Sequence, residues 1–180
     1  MRILMTFILV CFLCAPGTHA LDKNTGSDPD SRAPSVTSAE AELLSRVREL
    51  SQKDLAGAIR LLEQKRKSDS SPALDFTLGN LYFRAEKTVR AENAYRLSLK
   101  KYPEFDRSRR LLVRVLIEQE KNSEALKALR PMLQKDPPPE VLRLAGFTFL
   151  LNGRPVPAES AYRRAVLADF TDRDSYKGLA

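Results

Sequence analysis

A recurrence of about 34 residues constrains this chain more than any other feature. Within Pro72 to Phe105, the residues Leu78, Gly79, Tyr82, Ala91, Tyr95, Ser98, Leu99 and Pro103 fall at the intervals of two antiparallel helices joined by a tight turn. Gly79 and Ala91 let two helices approach closely, Tyr82 and Tyr95 fill the space on either side, and Pro103 cannot continue the second helix. The pattern returns twice. Over 106–138, Leu112, Val113, Leu116, Ala125, Leu129, Met132 and Pro137 take these places, and over 139–172 Ala145, Gly146, Phe149, Ala158, Tyr162, Ala165 and Phe170 do. A helical hairpin of this kind cannot bury its apolar face alone and must stack on copies of itself.

The residues before and after follow the pattern more loosely. Ser38 is placed to cap a helix over about 39–52, with Leu43, Leu44, Val47 and Leu50 on one face, and Asp54 to cap a second helix to about Lys67. These form a degenerate first unit, 38–71. Pro131 lies inside the second helix of the third unit, where a kink is expected. Asn152-Gly153 supplies a turn in which both residues accept positive φ, and Pro157 suits the first turn of the helix that follows. Residues 173–180 read as the opening of a further unit, with Tyr176 and Leu179 as its first core residues. Solenoids normally finish on a polar capping helix. The segment is thus either a short cap or the start of an array that continues, and the missing polar cap favours the second.

The hairpin beginning at Pro72 resembles the tetratricopeptide repeat, whose period is 34 residues. The resemblance covers about 38–180. It implies an all-α, right-handed solenoid of three and a half to four hairpins, whose first helices line a concave groove that binds peptides or partner segments, with no catalytic activity attached. On that geometry the groove residues are Phe76, Asn80 and Arg84 in the second unit, Arg107, Arg110 and Arg114 in the third, and Arg143 and Phe147 in the fourth. Thr77, Phe83, Leu111, Ile117, Leu144, Leu150 and Leu151 lie on the same faces. Family members that hold chaperone C-termini use a lysine–asparagine pair, and here Asn80 matches the asparagine but Phe76 stands at the lysine place.

The N-terminus points to export. Arg2, an apolar run from Ile3 to Cys14 and a small-x-small site ending at Ala20 describe a secretory signal peptide cleaved after Ala20. A dozen apolar residues is well short of the roughly 20 that span a bilayer. A flexible linker, 21–37, rich in Asp, Ser, Pro and Gly follows. Both cysteines and the one histidine lie in the signal, so the mature chain holds no Cys, His or Trp. Disulfides, Cys/His metal sites, thiol nucleophiles and Ser-His-Asp triads are thereby excluded from it. No cofactor is expected.

The mature chain has 29 basic and 23 acidic residues, a net charge of +6. Ten basic and four acidic residues between Arg84 and Arg114 account for the same excess. Arg107, Arg110 and Arg114 share one helix face and can meet carboxylates in bidentate fashion. The expected partner is therefore a protein or peptide, acidic and partly apolar; an anionic polymer or membrane surface is the alternative, and export argues against nucleic acid. Glu118, Glu120 and Glu124 are the candidate acid–base residues of an enzyme, but no paired geometry is evident among them. A second copy of the chain would be one cover for an uncapped terminal helix.

Overall fold

A computed structural model describes residues 33–134 and 136–179; the expected signal peptide, 1–20, and most of the expected linker, 21–37, lie outside the described residues. Nine α-helices follow one another among these residues: α1 (Ser38–Lys53), α2 (Leu55–Lys65), α3 (Pro72–Arg84), α4 (Thr88–Lys101), α5 (Asp106–Glu118), α6 (Asn122–Leu129), α7 (Pro139–Leu151), α8 (Pro155–Ala168) and α9 (Arg173–Leu179). They pair as hairpins α1–α2, α3–α4, α5–α6 and α7–α8. The second helix of each hairpin packs on the first helix of the next, and α9 packs on α8 and α7. The result is an all-α helical-repeat solenoid.

Local chemistry sets the helix ends. Thr37, one residue before the expected cap Ser38, caps α1: its side chain accepts from the Glu40 N–H and the Glu40 carboxylate accepts from the Thr37 N–H. Asp54 caps α2 as expected, accepting from the Gly57 N–H at 2.7 Å. Proline opens α3, α7 and α8, where its missing N–H costs nothing.

Three hairpins share one turn. Lys87, Lys121 and Arg154 donate their N–H groups back to the carbonyls of Tyr82, Leu116 and Phe149, while Glu86, Glu120 and Gly153 donate to Phe83, Ile117 and Leu150. This is the Schellman arrangement, which needs a left-handed residue at its centre. Glu86 (φ 57°), Glu120 (φ 58°) and Gly153 (φ 66°) occupy that place. Asn152 keeps a negative φ of −97°, contrary to expectation, because it is the C-cap residue one step earlier.

The core is a continuous seam through the stack. Val47, Leu62, Leu74, Tyr95, Leu116, Leu129 and Val141 are among its fully buried members. In the second hairpin Gly79 lies against the ring of Tyr95; a Cβ there would stand 2.6 Å from the ring edge. Gly146 meets Tyr162 in the same way, at 2.7 Å, and Gly178 of α9 closes on that ring from the following helix. The third hairpin has no glycine at this place and buries Val113 and Leu129 completely. Pro131 does not kink α6 but ends it: the helix stops at Leu129 and Arg130–Leu133 form a single 3-10 turn. The reason is the absent proline N–H, which removes the next α-helical bond.

Candidate groove on the first helices

The first helices α5, α7 and α9 line an open groove of about 660 Å³. Its apolar wall is Leu111, Ile117, Leu144 and Phe147; its charged groups are Arg110, Arg114, Glu118, Glu140, Arg143 and Asp174, and Tyr162 closes its base. Phe147 is 46% exposed, high for an aromatic on a helix whose other face is fully buried.

Four of the expected groove residues meet here, namely Arg110, Arg114, Arg143 and Phe147. The other four do not line this groove. Phe76 is a correction: it is buried, with its ring 4.8 Å from Phe105 and 6.1 Å from Tyr95, because α3 is enclosed by the first hairpin on one side and α4–α5 on the other. Arg107 covers the outer edge of this cluster, its guanidinium 5.6 Å from the Phe76 ring centre. Asn80 accepts a hydrogen bond from the Tyr95 hydroxyl at 2.7 Å. Burial pushes that phenol well above its ordinary range, so it stays a neutral donor. Arg84 reaches back to α1 and donates to the Ser51 hydroxyl and carbonyl at 3.1 and 3.0 Å.

Within the groove the arginines differ. Arg110 pairs with Glu140 of the next first helix at 3.3 Å. Arg143 donates to Asp172 at 2.8 Å. The Ser175 hydroxyl and then the Arg143 guanidinium hold the Asp172 carboxyl below the ordinary aspartate range, against the opposing effect of burial. Asp172 also accepts from the Asp174 and Ser175 N–H groups, so Arg143 serves to seat the first turn of α9. Arg114 is exposed and makes no ion pair among the described residues within 4 Å. It lines the groove, with its charge also felt by the Tyr95 hydroxyl.

The acidic members Glu118, Glu140 and Asp174 were not anticipated. A signal for them exists: Glu140 and Asp174 stand at the second position of their helices, the place of Arg107 in α5. The groove thus alternates in charge and is not uniformly basic. Much of the basic stretch is engaged within the fold as well. Arg90 meets Glu63, Lys101 meets the fully buried Asp75 at 2.7 Å, Arg109 donates to the Pro103 carbonyl, and Arg96 bridges Glu92 and Glu124. Of the acid–base candidates, Glu124 is held by Arg96 at 2.6 Å, Glu120 sits in a turn, and Glu118 lines the groove.

A second open cleft, about 930 Å³, lies between α1 and the loop before α3. Its polar walls are largely occupied by the network that caps the first two units: the Ser71 N–H donates to Glu40, and Lys101 donates to the Ser70 carbonyl.

The comparisons with known proteins agree with this fold. A tetratricopeptide-repeat family model matches residues 82–146. Among solved structures, the fold is similar to MamA (residue 41 to the end) from Desulfovibrio magneticus RS-1, at 17% identity and a TM-score of 0.70 over 81% of this chain and 84% of that one. It is similar to a tetratricopeptide repeat protein from Parabacteroides merdae ATCC 43184, at 18% identity and a TM-score of 0.71 over 79% of this chain and 58% of that one. A third is the C-terminal part of a TPR repeat-containing protein from Cytophaga hutchinsonii, at 17% identity and a TM-score of 0.60 over 77% and 59% of the two chains. No curated protein matches in sequence. The chain therefore carries a tetratricopeptide-repeat signature from its second to its fourth hairpin, on a solenoid of tetratricopeptide-repeat architecture.

Proposed function

We propose that this chain is a non-catalytic scaffold of the cell envelope that holds a partner segment in the groove of α5, α7 and α9. The observation that carries the reading is Arg114, unpaired beside the exposed ring of Phe147 and the apolar wall of Leu111, Ile117 and Leu144. A repeat solenoid has no chemistry of its own to spend on such a groove; an apolar wall with one open cation fits a segment that brings apolar side chains and a carboxylate. Because Arg110 and Arg143 already have acidic partners, the segment needs one well-placed carboxylate and not a run of them.

Export is part of the reading and rests on the sequence of residues 1–20. Among the described residues no helix is long and apolar enough to cross a membrane. The intact mass of the protein from its own cells tests this part, with a product beginning at Leu21 as the expected result.

Fluorescence anisotropy with labelled peptides tests the groove. A peptide with one Asp or Glu flanked by Leu or Phe should bind, and Arg114→Ala or Phe147→Ala should each weaken it about tenfold, the equivalent of ~1.4 kcal/mol. Neither exposed substitution should alter the helical spectrum. Equal affinity of the double variant and the parent would exclude this groove as the site. A triple Arg107, Arg110 and Arg114 replacement is a blunter probe, since it also disturbs Phe76 and Glu140.

A further inference from the structure

Two of the hairpins set a tyrosine ring against a glycine, and the two hydroxyls meet different fates. In the second hairpin the residue after Gly79 is Asn80, whose carboxamide oxygen accepts from the Tyr95 hydroxyl at 2.7 Å. In the fourth hairpin the residue after Gly146 is Phe147, which has no oxygen to offer. The Tyr162 hydroxyl is left without a hydrogen-bond partner among the described residues. Tyr162 is only 4% exposed, and it borders the groove of α5, α7 and α9.

A buried polar group with no partner costs free energy that a bound acceptor would return. The ring is also held in place. It lies between Gly146 of α7 and Gly178 of α9, and a Cβ at either position would collide with it. Burial pushes the phenol above its ordinary range, against the opposing effect of the Arg143 guanidinium, so the hydroxyl keeps its proton. The base of the groove therefore carries a fixed, neutral donor.

We propose that Tyr162 is a ligand-binding residue whose hydroxyl donates to a side-chain carboxamide, Asn or Gln, of the segment held in the groove. This rests on the groove reading above and adds a second point of recognition to it. The fold holds its own precedent in Tyr95 and Asn80, where the acceptor is a carboxamide; at Tyr162 the same acceptor is left for a ligand to supply. A neutral acceptor also suits the charges of the lining. Arg110, Arg114 and Arg143 are matched in number by Glu118, Glu140 and Asp174, so a second carboxylate at the base gains little. The segment then brings a carboxylate for Arg114, a carboxamide for Tyr162 and apolar side chains for Phe147 and Leu144.

Fluorescence anisotropy of the purified protein with labelled peptides tests this. Each peptide carries one Glu flanked by Leu and Phe, and a further residue scanned along it is Gln or one of its near-isosteres, Glu and Met. At the matching position the parent should prefer the Gln peptide by about tenfold. Tyr162→Phe should abolish that preference and bind the Met peptide as the parent does. The same variant should leave the midpoint of chemical denaturation unchanged, in contrast to Tyr95→Phe, because it breaks no bond within the fold. A Gln preference that survives Tyr162→Phe would overturn the proposal. So would equal binding of all three peptides by the parent, or a uniform loss across them in Tyr162→Phe, which would assign the phenol to a main-chain carbonyl. A midpoint lowered as far as in Tyr95→Phe would overturn it by revealing an internal partner. The double variant Arg114→Ala with Phe147→Ala separates the two claims. If it weakens binding while Tyr162→Phe does not, the groove stands and the carboxamide site falls; if it binds like the parent, or if no peptide binds the parent, the groove reading falls and the carboxamide site with it.

Discussion

The second and third hairpins solve one packing problem in two ways. Where α3 crosses α4, Gly79 contributes no side chain and Tyr95 fills the gap with a fully buried ring. Where α5 crosses α6, two branched aliphatic side chains of middling size, Val113 and Leu129, hold the same places and are fully buried. The repeat therefore prescribes the space at the crossing, and the residue pair is free so long as it fills that space to crystal-like density. The ring adds something the aliphatic pair lacks, a hydroxyl that reaches through the helix pair to Asn80. The third hairpin is also shorter in its second helix, eight residues against fourteen, because Pro131 stops it.

The largest effect should come from forcing one solution onto the other. Gly79→Val puts branched carbon where even a Cβ would stand 2.6 Å from the fully buried Tyr95 ring, and it should cost about 3 kcal/mol or more by chemical denaturation. Val113→Gly in the third hairpin should cost about 2–3 kcal/mol through the cavity it leaves. Adding Leu129→Tyr to Val113→Gly should recover part of that loss, and failure to recover any would show that the crossing distances of the two hairpins differ.

A smaller effect separates ring from hydroxyl. Tyr95→Phe keeps the shape and removes the donor to Asn80, for an expected loss of about 1 kcal/mol. The turns should respond in the opposite sense. Glu120→Gly relieves a left-handed non-glycine residue and should stabilise by about 0.5–1 kcal/mol, while Gly153→Ala should destabilise by about the same amount.

The pH response should be the most local. Asp172 is held below its ordinary range, so its contribution is complete above the unfolded value near about pH 4 and is lost as pH falls through the lower folded value. Glu92 is subject to burial, which pushes its carboxyl up, but the hydrogen bonds from Lys121 and Arg96 outweigh this and leave it lowered as well. Amide exchange should therefore show α9 and the α4–α6 junction both loosening in acid, and Asp172→Asn should remove the pH dependence of α9 alone.

The helical pairing was legible because its residues are local and repeated: the hairpin read within Pro72 to Phe105 holds α3 and α4, Pro72–Arg84 and Thr88–Lys101. The left-handed turn was legible only at Gly153, since glutamate at 86 and 120 carries no conformational signal. Phe76 was misread for a related reason. A helix with Leu74, Phe76, Leu78, Leu81 and Tyr82 buried is apolar on nearly every side, and periodicity cannot assign a groove face to it. The fates of Arg84, Arg110 and Arg143 depend on partners 33, 30 and 29 residues away, so no local pattern discloses them. Their near-constant separation, a little under one period, is the trace that a reading by repeats would look for.

Several of the polar ties described above join a unit to its immediate neighbour: Arg84 to Ser51, Glu92 to Lys121, Arg96 to Glu124, Arg110 to Glu140, and Arg143 to Asp172 at the start of α9. Drawn apart, the described stack is held by ties between neighbouring units. It would behave as a row of separate springs, each yielding at its own junction, and the extension at which a junction parts would report which pair of hairpins it joined.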